Sequence, residues 1–251
     1  MALSWGGRRK LLYAAVAAVF GFAVMFGIYR TFFTAVPTCR DGAQNGRESG
    51  VDCGGDCALL CQAEARAPVV LWVRAMSGGE GAYTAAAYVQ NQNAGAYAPD
   101  VHYAFQLFDG NNLLVAERTG TILLPPVQTI PIIEPNIDVG NRTVARAMLS
   151  FTREPYWLHA REGDFPALRT TGVLLKEGDG TLLNATLVND SPYGAEAEVG
   201  AVLFDAQGVA LAASRTALSV DRKSQESIFF TWPDGVRGAI RAEVIALPIA
   251  K

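Results

Sequence analysis

The chain has 251 residues with a formal net charge of −3, and half of its residues are hydrophobic. Residues 1–30 hold four of the 21 cations and no acid, which leaves 17 cations against 24 acids in the rest of the chain. Nucleic-acid binding depends on clustered Lys and Arg side chains that neutralise phosphates. The acidic remainder has no such cluster in its sequence, so we expect no nucleic-acid partner.

The N-terminus combines a short basic segment with a long apolar one. Eighteen uncharged residues, 11–28, follow three consecutive cations at positions 8–10. As an α-helix they extend about 27 Å at ~1.5 Å per residue, which matches the hydrocarbon thickness of a bilayer. Basic residues favour the cytoplasmic side of a membrane. We therefore predict a cytoplasmic N-terminus over residues 1–10 and a single transmembrane anchor over residues 11–36.

A cleaved signal peptide is the main alternative for this segment. Signal peptides carry an apolar core of about 7–15 residues that ends at a small-residue cleavage site. Here the apolar character resumes after Arg30, and Thr34-Ala35-Val36 before Pro37 is a poor cleavage site. We therefore favour an uncleaved anchor, which places the remainder of the chain outside the cytoplasm.

All four cysteines lie in a turn-rich segment directly after the predicted anchor, at Cys39, Cys53, Cys57 and Cys61. Asp-Gly, Asn-Gly and Gly-Gly pairs dominate the segment, so it buries little apolar surface and needs cross-links to be ordered. Disulfides form readily outside the cytoplasm, and we predict two of them within a collar over residues 37–64. The sequence leaves all three connectivities open. A structural zinc site is the alternative, but the CxxC pairs typical of such sites are missing.

The spacing of acids, glycines and cysteines in the collar matches a known pattern. The matching residues are Cys39, Asp41, Gly42, Asn45, Gly46, Glu48, Asp52, Cys53, Gly54, Gly55 and Cys57. They reproduce C-x-D-G-x-x-N-G-x-E-x-x-x-D-C-G-G-x-C, and the collar thus resembles a module of bacterial surface proteins that commonly lies just outside a membrane anchor. The last cysteine departs from the motif, because three residues rather than two separate it from Cys57. The resemblance implies a location on the bacterial surface and no particular reaction.

Five side chains of the collar offer oxygen ligands for calcium: Asp41, Asn45, Glu48, Asp52 and Asp56. Calcium takes about six to eight oxygen ligands, but the spacing here differs from that of an EF-hand loop. Asp and Asn also stabilise turns without any metal. Calcium binding stays open as a hypothesis, and we prefer the turn role and expect no metal.

Beyond the collar, short runs of Val, Leu, Ala, Tyr and Phe recur between turn signals, without a long helical period. In residues 101–107, large apolar side chains alternate with His, Ala and Gln, as in a half-buried strand. The pattern returns about 97 residues later, at residues 199–205. We therefore predict an all-β fold of two tandem β-sandwich domains, over residues 65–153 and 154–251.

Two short motifs within these repeats carry a second resemblance. Residues 105–109 read Phe-Gln-Leu-Phe-Asp, and residues 201–205 read Ala-Val-Leu-Phe-Asp. Both resemble the F-x-L-Y-D signature of a family of bacterial β-sandwich domains, although the second copy lacks the first Phe. Asn91 and Asn189, which precede the motifs at predicted strand ends, also fit that family. The resemblance implies an immunoglobulin-like or fibronectin-like fold and non-catalytic domains that present a binding surface.

The junction between the predicted domains contains Tyr-Trp-Leu-His at residues 156–159. An exposed binding patch is one interpretation of this cluster. We prefer burial between the two domains, because large aromatic side chains contribute most to stability when they are covered.

The sequence lacks the motifs of common enzyme active sites, such as a G-x-S-x-G elbow, HExxH or a phosphate-binding glycine loop. Its two histidines, His102 and His159, fall on a predicted strand face and in the junction. Glu196 and Glu198 would share one face of a strand, which suits the paired carboxylates of a hydrolase but equally a solvated surface. We therefore expect no catalytic residues and no cofactor, and an envelope hydrolase remains only as an alternative.

We predict a single-pass protein of the bacterial cell membrane with an extracytoplasmic interaction or scaffolding role in the cell envelope. Its partner would be an envelope protein or a cell-wall component. The alternative role is recognition of cell-wall glycan or of another cell. Glycan sites usually present exposed aromatic side chains, and our candidate binding residues are therefore Tyr97, Tyr193 and Trp232, in predicted loops.

Overall fold

The computed structural model describes residues 5–32, 37–79, 81–126, 128–177 and 180–249. One long helix, α1 (Trp5–Phe32), precedes the collar and two bodies built from β-sheets. Residues 1–4 and 33–36, which belong to the predicted cytoplasmic segment and anchor, lie outside the described residues.

Helix α1 has the length and composition of a membrane-spanning segment. The most apolar 18-residue window of its Trp5–Arg30 portion has a mean hydropathy of 2.3, and this window is not buried against the rest of the protein. Large side chains such as Phe20, Phe22 and Met25 are at least 71 % exposed. A helix that is apolar all round is suited to a hydrocarbon environment and not to water. The helix is thus compatible with a membrane anchor, and also with a signal sequence.

The first sandwich contains seven strands: β1 (Val69–Ser77), β2 (Ala82–Gln90), β3 (Ala96–Phe108), β4 (Leu114–Leu124), β5 (Thr129–Asp138), β6 (Arg146–Phe151) and β7 (Leu158–His159). One sheet has the order β1-β2-β5 and the other the order β4-β3-β6. All neighbouring strands are antiparallel. The short strand β7 pairs with the beginning of β3, at Ala96 and Tyr97.

The second sandwich contains six strands: β8 (Leu168–Glu177), β9 (Thr181–Asn189), β10 (Ala195–Phe204), β11 (Ala210–Val220), β12 (Ser224–Trp232) and β13 (Arg241–Pro248). Its sheets have the orders β12-β9-β8 and β11-β10-β13. In both sandwiches, therefore, the first, second and fifth strands form one sheet, and the third, fourth and sixth form the other. This architecture confirms the predicted fold class of two tandem immunoglobulin-like or fibronectin-like sandwiches after one apolar helix and a disulfide-rich segment.

The cores are filled by alternate residues of the strands. Along β9, buried and half-buried residues alternate strictly from Thr181 to Asn189. In the first core Phe105 and Leu107 are completely buried, and the same holds for Ala201 and Leu203 in the second core. The two F-x-L-Y-D-like motifs therefore occupy corresponding central strands, β3 and β10.

The structure corrects our interpretation of residues 156–159 as a layer buried between the sandwiches. Trp157 is only 1 % exposed, but it belongs to the core of the first sandwich. Tyr156 is 48 % exposed. The reason is the pairing of β7 with β3, which holds this segment at the end of the first sandwich. Residues 160–167 then form the linker to β8.

Asn91 and Asn189 stabilise corresponding turns in the two sandwiches. Asn91 is 1 % exposed, and its side-chain amide donates hydrogen bonds to the carbonyl oxygens of Ala96 and Pro125, at 2.8 and 2.7 Å. Asn189 is fully buried and donates in the same way to the carbonyl oxygen of Tyr193, at 2.8 Å. Buried backbone carbonyls require such partners. Each asparagine thereby fixes the turn that leads into the central strand.

The two sandwiches pack face to face through the outer surfaces of sheets β1-β2-β5 and β11-β10-β13. The rings of Trp72 and Tyr88 stack with their centroids 4.9 Å apart, and both meet Phe204 edge-on, at 6.3 and 6.2 Å. A Cβ atom at Gly200 would lie 3.1 Å from Ile133, so glycine at this position lets the sheets approach closely. The buried residues of this interface core, beside the partly buried Trp72, are Met76, Ala86, Tyr88, Ile133, Val202, Phe204, Ala210 and Ala213.

Polar contacts between the sandwiches flank the interface core. The hydroxyl of Tyr88 donates to the carboxylate of Glu243 at 2.6 Å, and the guanidinium of Arg74 donates to the carbonyl oxygen of Ala210 at 3.2 Å. Burial raises the pKa of Tyr88 above its ordinary value, and the Glu243 carboxylate raises it further. Tyr88 therefore remains a hydrogen-bond donor at neutral pH.

We expect Phe204→Ala to lower the free energy of unfolding by about 3–5 kcal/mol, because it opens a cavity in the interface core. The matched control is Phe229→Ala, since Phe229 is 61 % exposed on β12 whereas Phe204 is 3 % exposed. The control should cost less than about 1 kcal/mol. Denaturant unfolding of the full chain in detergent micelles, followed by tryptophan fluorescence, measures both values. Equal losses would contradict a stabilising role for the interface.

Candidate functional site

The four cysteines of the collar form two disulfides, Cys39–Cys57 and Cys53–Cys61. No cysteine remains free. This arrangement confirms the predicted number of disulfides and selects one of the three connectivities. It also excludes the zinc alternative, because no thiolate is left to bind the metal.

The collar is attached to the first sandwich through strand β7. The backbone N–H of Leu60 donates to the carbonyl oxygen of Trp157 at 2.9 Å, and the N–H of His159 donates to that of Ala58 at 2.8 Å. Leu59 and Leu158 form an antiparallel bridge between these bonds. The collar is therefore joined to the first sandwich by the same kind of backbone hydrogen bonding that connects its strands.

The carboxylates of the collar accept hydrogen bonds within its turns. Asp41 accepts from the side-chain amide of Asn45 at 2.9 Å, and this bond is the main reason why the pKa of Asp41 lies below its ordinary value. Both carboxylate oxygens of Asp52 accept from the backbone N–H of Gly42, at 3.1 and 3.0 Å. Glu48 accepts from the N–H of Asn45 at 3.2 Å. Three of the candidate calcium ligands thus serve as local caps.

The candidate calcium ligands do not converge on a common point. Asp56 forms an exposed ion pair with Arg47, at 3.7 Å. Among the residues that the structure describes, only Cys39, Glu48 and Cys57 bring three donor atoms of His, Cys, Asp or Glu within 4.8 Å of one another. Both of these cysteines are used by a disulfide. The geometry favours the turn role for the five side chains.

A cleft lies where the two sandwiches and the linker meet. Its main lobe has a volume of about 420 Å³ and is formed by the beginning of β3, the end of β4, the linker, the turn before β10 and the end of β13. A side lobe of about 260 Å³ adjoins it and is lined by residues of β3, β4, β10 and β13. The two lobes share the walls formed by Pro99, Leu123, Pro248 and Ile249. The cleft is therefore one elongated depression between the domains.

The structure brings two of the three candidate binding residues together. Tyr97 and Tyr193 both line the main lobe, although Tyr97 lies in strand β3 and not in a loop. Trp232 is the last residue of β12, also in a strand. It packs against the second core and stacks on Phe230, with ring centroids 6.4 Å apart. Trp232 thus takes no part in the cleft.

The linker holds the aromatic walls of the main lobe in place. The ring of Tyr97 meets that of Phe165 edge-on, with centroids 4.9 Å apart. The hydroxyl of Tyr193 donates to the carbonyl oxygen of Gly163 at 3.1 Å. Partial burial raises the pKa of Tyr97 above its ordinary value, and the nearby Asp164 carboxylate raises it further. Both tyrosines are therefore positioned by contacts from one short segment.

The side chains that carry charge in the cleft are acidic. Asp164 and Glu196 line the main lobe, and Asp100 and Glu198 line the side lobe. Glu198 is paired with Arg215 at 2.9 Å. Within the described part of the chain, Asp164 and Glu196 form no ion pair, and no Lys or Arg lines either lobe. The main lobe thus carries two carboxylates that no cation neutralises.

Sequence patterns did not reveal the contribution of the linker. Asp164, Phe165 and Pro166 form one wall of the main lobe, yet they lie in a segment without strand periodicity. Their role depends on the packing of the two sandwiches, which no local pattern records. The sequence feature that could have indicated this wall is the succession of an acid, an aromatic residue and a proline near the predicted domain boundary.

No family model matches the chain, and no curated protein matches it. Among solved structures, 73 % of the chain aligns with the crystal structure of red sea bream transglutaminase, at 9 % sequence identity and a TM-score of 0.24. The alignment spans 29 % of the length of that chain. A similarity this low carries no argument about fold or function.

Because two disulfides cross-link the collar, we expect dithiothreitol to open it and EDTA to leave it intact. Trypsin cleavage after Arg40 and Arg47, both exposed, should accelerate about tenfold or more on reduction, since each disulfide contributes about 2–4 kcal/mol. Mass spectrometry of the digested full chain in detergent micelles measures the rates. Faster cleavage with EDTA alone would instead support a bound calcium ion.

Proposed function

We propose that the protein is a membrane-anchored, extracytoplasmic interaction protein of the bacterial cell envelope, without catalytic activity. Helix α1 would cross the membrane with its basic N-terminal flank in the cytoplasm, as the distribution of cations favours. Two disulfides in the collar support an oxidising environment for the rest of the chain. The collar and the sandwiches would then project from the membrane surface.

The observation that carries the proposal is the cleft between the two sandwiches. Concave surfaces at domain interfaces are common binding sites, in particular when aromatic walls surround a few polar groups. Tyr97, Phe165 and Tyr193 supply the aromatic walls, and Asp164 and Glu196 supply the polar groups. The two sandwiches together form this surface, so the tandem arrangement is required for binding.

The composition of the cleft supports a binding role over a catalytic one. Among the described residues that line the main lobe, none is His, Cys, Ser or Lys. Glu198, one of the carboxylates that a hydrolase would require, is paired with Arg215. Among the described residues that line the main lobe, there is no Ser, Thr or Cys nucleophile with an activating base.

Recognition of a cell-wall glycan or of another cell is the second candidate function. It is supported by the exposed ring of Tyr193, which is 42 % exposed beside the cleft. An envelope protein as partner and a glycan as partner would both use the same surface. Cross-linking from within the cleft distinguishes them by the chemical nature of the adduct.

The topology predicts that proteinase K added to spheroplasts digests an epitope tag at the C-terminus and spares one at the N-terminus. The physical reason is that α1 places the two ends on opposite sides of the membrane. Immunoblots of both tags measure the result, and permeabilised spheroplasts should lose both tags. Loss of the N-terminal tag in sealed spheroplasts would contradict the proposed orientation.

A photo-reactive residue at position 193 should cross-link to a partner in intact cells at least several-fold more than one at position 229. Tyr193 and Phe229 are both exposed aromatic residues, but only Tyr193 lines the cleft. Mass spectrometry of the adducts would identify a protein partner or a wall glycan. Equal or absent adducts at the two positions would contradict a binding role for the cleft.

A further inference from the structure

We propose that the cleft binds Lys or Arg side chains of an extended basic segment in a partner protein. The inference rests on the binding role proposed for the cleft and adds the chemistry of its occupant. Three observations support it: the charge of the cleft, the kind of hydrogen bonding that it offers and the apolar surfaces that surround the charges.

The charge of the cleft is complementary to a cationic ligand. Asp164 and Glu196 in the main lobe are without an ion-pair partner among the described residues, whereas in the side lobe Asp100 contacts His102 at 3.2 Å and Glu198 is paired with Arg215 at 2.9 Å. The attraction for a cation therefore comes chiefly from the main lobe. Beyond residue 30 the chain holds 17 cations against 24 acids, so the surrounding field has the same sign. Asp164 and Glu196 are both solvent-exposed, so their attraction for a cation is strongest at low salt, where screening is weak.

The charged hydrogen-bonding groups of the main lobe are acceptors. Carboxylates only accept when ionised, the hydroxyl of Tyr193 already donates to Gly163, and the hydroxyl of Tyr97 is the remaining side-chain donor among the described lining residues. An ammonium or guanidinium group has donors and no acceptor, so its N–H groups match the carboxylates of Asp164 and Glu196. A neutral sugar presents acceptors as well as donors, and the lobe has no Asn, Gln or Arg side chain to donate to them.

The apolar surfaces suit the rest of a Lys or Arg side chain. Tyr97, Phe165 and Tyr193 present aromatic rings, and such rings attract cations within about 6 Å of their centroids. Pro99 and Pro248 belong to both lobes and form an apolar wall along which an alkyl stem can lie. Because the lobes share these walls, an extended peptide can place a basic side chain in the main lobe and continue along the side lobe.

The test is calorimetric titration of tetralysine into the full chain in non-ionic detergent micelles at low salt. We expect measurable binding that weakens at least tenfold in the double variant Asp164→Asn with Glu196→Gln. Asn at position 164 keeps an oxygen for the hydrogen bond from the N–H of Arg161, so the fold should be retained. Glu226→Gln removes an exposed acid on β12 and should change the affinity less than twofold. Unchanged melting temperatures would show that all variants are folded.

Several outcomes would overturn the inference. Fully acetylated tetralysine that binds as tightly as tetralysine would exclude recognition of charge. An equal effect of Glu226→Gln would indicate diffuse attraction and not a site. If spermidine bound more tightly than tetralysine, the ligand would be a free polyamine and not a peptide. If a neutral chitin trisaccharide bound more tightly than tetralysine, the ligand would be a glycan. A specific adduct at position 193 without tetralysine binding would leave the proposed function intact while this inference fails.

Discussion

The face-to-face packing of the two sandwiches is the interaction on which the rest of the structure depends. The rings of Trp72, Tyr88 and Phe204 remove apolar surface from water and fix the outer sheet of one sandwich against that of the other. Tyr97 and Tyr193 belong to different sandwiches and face the same cleft because of this packing. The proposed binding surface therefore depends on hydrophobic burial elsewhere, and a fixed interface prepares it before any ligand arrives.

Apolar packing alone has little directionality, and a buried polar network adds it. Glu134, 7 % exposed, accepts hydrogen bonds from the hydroxyl of Tyr103 at 2.6 Å and from Arg215 at 3.4 Å. Arg215 also pairs with Glu198, which lines the side lobe of the cleft. A Cβ atom at Gly120 would lie 2.3 Å from the Tyr103 oxygen, so glycine at that position makes room for the network. Because a buried carboxylate without partners is costly, the network favours one relative orientation of the sandwiches and connects it to the cleft.

Features that depend on local sequence could be predicted. Hydrophobic periodicity indicated the apolar helix and the strands, and turn chemistry with four clustered cysteines indicated two disulfides. Asn91 and Asn189 were singled out by a resemblance, and each stabilises the turn before a central strand. The prediction of a loop at Tyr97 is wrong, although Gly95 and Pro99 on either side of it are residue types typical of loops. The strand continues across Pro99 through a register shift between Ala98 and Val101, a place where proline is tolerated.

The connectivity of the disulfides, the interface core and the linker wall of the cleft arise from contacts distant in sequence, so no local pattern encodes them.

The two copies of the fold differ most in the faces that they present. Tyr88, three residues before Asn91, pairs with Trp72 on the outer face that the second sandwich covers. At the corresponding place in the second sandwich, Thr186 pairs with Thr171, and that outer face is not covered by another domain of the described chain. Hydroxyl side chains suit a surface in contact with water. The same topology thus presents an apolar interface in one copy and a polar outer face in the other. This asymmetry explains why the sandwiches meet in one fixed arrangement, with an acidic, aromatic cleft at their junction.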